Sequence, residues 1–184
     1  MLNVPNTISL FRLVLVPVVV YLLTQSAYAY ALVVFLIASI SDGIDGWIAR
    51  HYNLCTPLGA MLDPVADKLI ILSCLMTLTW QSLIPLWLTL SLLVRDMVIV
   101  LGAMAYRRLI GHVKIAPSWL GKTHIALEFA LLCLVLANAA AIFSVAVLLP
   151  GLFKLVFATA VLSATQYVWI WGRKAGAFHT RKTR

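Results

Sequence analysis

Hydrophobic and polar positions segregate along this chain into long blocks. Six apolar stretches, at about residues 6–23, 28–50, 59–80, 83–109, 119–138 and 147–171, separate short polar connections. Each reaches or approaches the roughly 20 residues that a helix needs to cross a bilayer. The pattern predicts an all-α, polytopic integral membrane protein with six transmembrane helices. It divides the chain into a membrane domain over 1–172 and a basic tail over 173–184. Composition fits: 63% of residues are hydrophobic and 11% charged, against about 25% charged in soluble domains, and the mean hydropathy is +1.02.

The few charges give an orientation. Connections around 24–27, 81–82 and 138–144 contain none, whereas the others carry Arg50 and His51, then Arg107, Arg108, His112 and Lys114. Arg173, Lys174, Arg181, Lys182 and Arg184 follow the last block. The positive-inside rule makes that basic side cytoplasmic, and an even helix count places both termini there, as in a bacterial inner membrane or its equivalent. The net charge of +8 arises from residues flanking apolar spans, without an RNA-binding motif. It predicts contact with anionic lipid and no nucleic-acid partner.

Ala27-Tyr28-Ala29 matches a signal-peptide cleavage pattern, but no Lys or Arg precedes Arg12, and the first block reads as a retained helix. Cys55, Cys74 and Cys133 have neither the number nor the spacing of a disulfide framework or zinc site. Trp80, Trp119, Trp169 and Trp171 fall near helix ends, as an interfacial aromatic belt requires.

Against this background, Asp42, Asp45, Asp63 and Asp67 stand out in the pattern D-x-x-D-G-x-x-A-R-x8-G-x3-D-x3-D. A carboxylate at mid-bilayer costs about 2.5–3.5 kcal/mol on insertion scales, so the cluster calls for compensating positive charge. Asp42 and Asp45 are three positions apart, and Asp63 and Asp67 four, spacings that put each pair on one helix face. The short connection between the two helices lets all four converge. An all-oxygen set suits hard divalent cations such as Mg2+, Mn2+ or Ca2+ rather than zinc.

Gly46 and Ala49 continue the first aspartate face, and Gly59 lies one turn before Asp63. These small residues leave room for a ligand. Arg50 adds a planar fork suited to a phosphate oxygen. Carboxylates, a divalent ion, space and an arginine together describe a diphosphate site near one membrane surface. Helix-locking Asp–Arg pairs are the structural alternative, but four acids near one arginine leave negative charge uncompensated.

The run Asp42-Gly43-Ile44-Asp45-Gly46-Trp47-Ile48-Ala49-Arg50, followed by Gly59, Asp63 and Asp67, resembles the complete signature of the CDP-alcohol phosphotransferases. The resemblance implies a six-helix, usually homodimeric membrane core with a cytoplasm-facing site. It also implies attack of an alcohol hydroxyl on the phosphorus of a CDP-linked lipid, CDP-diacylglycerol, with CMP as leaving group. By the same resemblance, Asp42, Asp45, Asp63 and Asp67 hold Mg2+ or Mn2+, as two ions, and Asp67 is also the general base. Gly46, Ala49, Arg50 and Gly59 line the CDP moiety.

The opening Asn3-Val4-Pro5-Asn6-Thr7-Ile8-Ser9-Leu10-Phe11-Arg12 is similar to those of phosphatidylglycerophosphate synthases and CMP-forming cardiolipin synthases. Arg95-Asp96 is more similar to the latter group, which implies phosphatidylglycerol as the anionic acceptor. Glycerol 3-phosphate is the alternative. Ala116-Pro117-Ser118-Trp119-Leu120-Gly121-Lys122 suits both groups. Arg95, Arg108 and Lys122 are candidates for the acceptor phosphate. Each has a second reading, as a snorkelling cation or, for Arg95, as the partner of Asp96.

Several other polar residues within the apolar blocks have open roles. Glu128 and Lys154 are isolated charges suited to function, helix pairing or a dimer contact, and His124 lies one turn before Glu128. Arg12 can face the nucleotide or snorkel. A transporter is the rival of another class, but the chain shows no internal repeat and its motif sits near one surface. A membrane prenyltransferase needs more helices than this length permits, and a scaffold with a vestigial site would not require every signature residue. Gly121-Lys122-Thr123 is too little for a nucleotide-binding loop.

Overall fold

A computed structural model describes residues 4–51, 59–110 and 118–182. Side chains are described at 11–41, 68–105, 118–170 and 173. The described residues form α1 (Val4–Thr24), α2 (Tyr28–His51), α3 (Gly59–Trp80), α4 (Leu86–Ile110), α5 (Trp119–Ala139) and α6 (Leu149–Lys182), and no strand. The predicted blocks and these helices agree closely. Two boundaries differ. Pro85 delays α4, and its carbonyl accepts from Leu88 N at 3.0 Å. At the other end, α6 continues for 34 residues through the predicted tail boundary, because its basic residues favour both helix propensity and the negative end of the helix dipole.

Three segments, Leu86–Ala105, Trp119–Ala139 and Leu149–Ile170, are long and apolar enough to cross a membrane. Shorter apolar segments among the described side chains are Phe11–Thr24, Tyr28–Ser41 and Lys68–Trp80. Large hydrophobic side chains such as Val14, Ile40, Val94, Met97, Leu101 and Leu162 are exposed. Such apolar surface belongs against lipid. Trp80 and Trp119, 89% and 83% exposed, occupy helix ends where aromatic side chains meet the bilayer interface. Arg173 lies 4.8 Å above the Trp169 ring, a cation–π pair at that level of α6.

The chain divides into two compact units, Met1–Ile84 with Leu132–Ala146, and Pro85–Leu131 with Val147–Arg184. In the first, α1 packs along both α2 and α3. Its core includes Val19, Leu23, Phe35, Leu75 and Leu78, with the small residues Ala31, Ala38 and Cys74 fully buried. Small side chains let helices approach closely where lipid removes most of the hydrophobic drive. In the second unit α4 packs on α6, around Leu88, Leu92, Val156 and Ala160, and Trp87 meets Phe157 edge to face at 5.5 Å.

The three uncharged connections share one device. Ser26, Ser82 and Ala141 have φ of 56°, 61° and 57°. Ser26 N donates to Leu23 O at 2.9 Å and Ala27 N to Leu22 O at 2.9 Å. The same pair of bonds joins Ser82 to Thr79 and Leu83 to Leu78, then Ala141 to Asn138 and Ile142 to Ala137. Each is a Schellman cap, in which a left-handed residue turns two amides back onto otherwise orphaned carbonyls. Gln81 adds a side-chain bond, its Nε2 donating to Leu23 O at 2.6 Å, which ties the α3 end to the α1 end.

Candidate active site

The aspartate motif divides between two consecutive helices of the first unit. Asp42, Asp45, Gly46, Ala49 and Arg50 lie in the C-terminal part of α2, and Gly59 is the first residue of α3, followed by Asp63 and Asp67. α2 and α3 meet directly. The side chains of these eight residues, and of Arg108 near the end of α4, lie outside the described ones, so their convergence remains the expectation set by spacing. The donor set is entirely carboxylate, the chemistry a hard divalent ion requires. Arg12 on α1 is buried, 1% exposed, which places it inside the protein rather than snorkelling.

All three acceptor candidates belong to the second unit. Arg95, in the middle of the α4 span, is 7% exposed. Its Nη1 donates to Asp96 Oδ1 at 2.8 Å, and its Nη2 donates to Ser163 Oγ of α6 at 3.1 Å. The ion pair is therefore formed and the arginine is held within the helices. Lys122 is exposed one turn into α5.

Ser118, Gly121 and Tyr167 explain the Ser-x-x-Gly-Lys run. Ser118 caps α5: its Oγ accepts from Gly121 N at 3.0 Å, satisfying an amide that the first helical turn leaves orphaned. Ser118 N in turn donates to Tyr167 Oη of α6 at 3.3 Å. A Cβ at Gly121 would stand 3.1 Å from Tyr167 Oη and 3.2 Å from Ser118 Oγ. Glycine is what lets Tyr167 reach the cap.

His124 and Glu128 are both buried. Thr159 Oγ1 donates to Val156 O at 2.9 Å and is hydrogen-bonded to His124 Nδ1 across 3.1 Å. The other ring nitrogen, His124 Nε2, lies 3.9 Å from Glu128 Oε2. Lys154, by contrast, is exposed. Ser163, Thr159 and Tyr167 are the functional candidates that residue reading passed over. Their signal was a polar stripe on α6, at 159, 163 and 167 within an apolar helix.

The described residues form an all-helical protein with apolar, membrane-length helices, and its signature acids lie in the C-terminal part of α2 and the N-terminal part of α3. The family model for CDP-alcohol phosphatidyltransferase matches residues 2–170, and the chain belongs to that family. It is 40% identical over 113 residues to a Streptomyces coelicolor protein named cardiolipin synthase (CMP-forming), covering 58% of this chain and 53% of that one. It is 30% identical over 188 residues to the Homo sapiens protein of the same name, covering 94% of this chain and 62% of that one. An Escherichia coli protein named CDP-diacylglycerol--glycerol-3-phosphate 3-phosphatidyltransferase is 36% identical over 127 residues, covering 65% of this chain and 69% of that one. The chain spans little more than half the length of the Streptomyces relative and about three fifths of the human one.

Proposed function

We propose that the protein transfers the phosphatidyl group of CDP-diacylglycerol to a hydroxyl of phosphatidylglycerol, giving cardiolipin and CMP. The observation that carries this is the unbroken acid signature on α2 and α3 within a chain of this family. Arg95-Asp96 and the similarity to proteins named cardiolipin synthase support phosphatidylglycerol as acceptor. Similarity to the glycerol-3-phosphate-using relative supports glycerol 3-phosphate as the second reading.

In this mechanism Asp42, Asp45, Asp63 and Asp67 would hold Mg2+ or Mn2+, which would neutralise diphosphate charge and assist departure of CMP. Gly46, Ala49, Arg50 and Gly59 accommodate the CDP moiety, with Arg50 on a phosphate oxygen. Asp67 takes the proton of the acceptor hydroxyl. The hydroxyl oxygen forms a bond to the lipid-linked phosphorus while the bond from that phosphorus to CMP breaks. Arg95, Arg108 and Lys122 are the proposed contacts to the acceptor phosphate. The proposal includes six membrane-spanning helices, both termini and the site on the cytoplasmic side, and a homodimer.

Purified protein supplied with CDP-diacylglycerol, Mg2+ or Mn2+, and phosphatidylglycerol or glycerol 3-phosphate tests the acceptor through the lipid product. Cardiolipin is expected. Phosphatidylglycerophosphate as the sole product would overturn the acceptor and leave the CDP chemistry intact.

A further inference from the structure

We propose that Ser163 is a positioning residue for Arg95, and that the fork so held is a receptor for a phosphate oxygen of the acceptor. This rests on the assignment of Arg95 to the acceptor phosphate. Arg95 sits mid-span on α4, where an ionisable side chain is expensive and lengthening towards either surface would relieve it. Instead its guanidinium bends to the neighbouring Asp96 and across to α6. Asp96 Oδ1 takes Nη1 at 2.8 Å and Ser163 Oγ takes Nη2 at 3.1 Å.

A guanidinium has five N–H donors in one plane. Asp96 and Ser163 engage two of them from two sides, and Arg95 Nε, although buried, has no hydrogen-bond acceptor among the described residues. Ser163 is itself fully buried, so its hydroxyl is fixed by packing. Asp96 offsets the charge of Arg95 in the apolar span, while Ser163 sets the angle of the plane. The remaining donors, Nε–H among them, are pre-oriented for an oxygen-rich anion. The ligand chemistry is a phosphate ester, supplied either by a lipid headgroup or by a soluble alcohol phosphate. Lysine would not serve here, because a point-like ammonium lacks the planar fork.

Direct binding separates this inference from turnover. Full-length native protein, Ser163→Ala, Ser163→Thr and Arg95→Gln are titrated in neutral detergent with glycerol 3-phosphate, with phosphatidylglycerol micelles and, as the phosphate-free control, with glycerol. CMP binding reports on the aspartate signature of α2 and α3. Ser163→Ala should weaken phosphate-ester binding about ten- to a hundredfold, the scale of one lost hydrogen bond to a charged group. Ser163→Thr should restore it, and CMP affinity should stay native in both. Arg95→Gln should abolish it. The arm that binds native protein identifies the source of the phosphate.

Native-like phosphate-ester affinity in Ser163→Ala overturns the positioning role, as does equal weakening of CMP and phosphate-ester binding. Loss in Ser163→Ala with native affinity in Arg95→Gln overturns the assignment of Arg95. Failure of both phosphate esters to bind native protein overturns the inference as well. CMP affinity and divalent-ion-dependent CMP release by native protein test the proposed function separately from these binding outcomes.

Discussion

Tyr167 Oη accepts a hydrogen bond from the backbone N–H of Ser118 at 3.3 Å, joining α6 to the cap of α5 over the bare backbone of Gly121. Gly121→Ala gains about 1 kcal/mol in helix propensity. It also puts a methyl group 3.1 Å from Tyr167 Oη and 3.2 Å from Ser118 Oγ, both hydrogen-bonded and unable to retreat without losing a bond. Overpacking of this kind costs about 1–3 kcal/mol. Net destabilisation of about 1 kcal/mol is expected, read as a lower thermal midpoint in detergent. In a Tyr167→Phe background the penalty should shrink, since the nearest atom is gone. Equal penalties in both backgrounds would refute the clamp.

The Schellman caps predict the opposite sign. Ser26, Ser82 and Ala141 adopt a left-handed conformation that costs a non-glycine residue about 1–2 kcal/mol. Glycine removes that strain but gives back part of the gain as unfolded-chain entropy. Ser26→Gly, Ser82→Gly and Ala141→Gly should each stabilise by about 0.5–1 kcal/mol. Thermal melts of the single and triple variants check this, and a lowered midpoint in the triple would contradict it.

Topology is tested by reporter fusions. A phosphatase that matures only outside the cytoplasm should be active when inserted after Ala141 and inactive when fused to the C-terminus. The reverse pattern would invert the orientation inferred from the positive-inside rule.

Helix identity was legible because burial in lipid requires continuous apolar blocks, and the predicted limits of α3 coincide with Gly59–Trp80. The start of α4 was less so, because the apolar block opens at 83 whereas Pro85 delays the helix to Leu86. The acid motif was legible through spacing, since three- and four-residue intervals have a fixed meaning on a helix. What sequence could not order was the second unit. Arg95 reads equally as substrate contact or ion-pair partner until Ser163, 68 positions later, is seen beside it. Likewise Ser-x-x-Gly-Lys resembled a family segment, whereas Ser118 and Gly121 owe their identities to a cap and to the approach of Tyr167.

The acids on α2 and α3 are proposed to drive metal-dependent release of CMP from a CDP-linked lipid. The most direct measurement is CMP released from CDP-diacylglycerol by purified native protein and by Asp67→Asn, with phosphatidylglycerol and with glycerol 3-phosphate, with and without Mg2+ or Mn2+. Native protein should release CMP only when a divalent ion and one of these acceptors are present. Asp67→Asn should lose activity by at least about 10^2-fold, the lower range for removing a general base, while still binding CDP-diacylglycerol. CMP release that survives both chelation and Asp67→Asn would contradict the account.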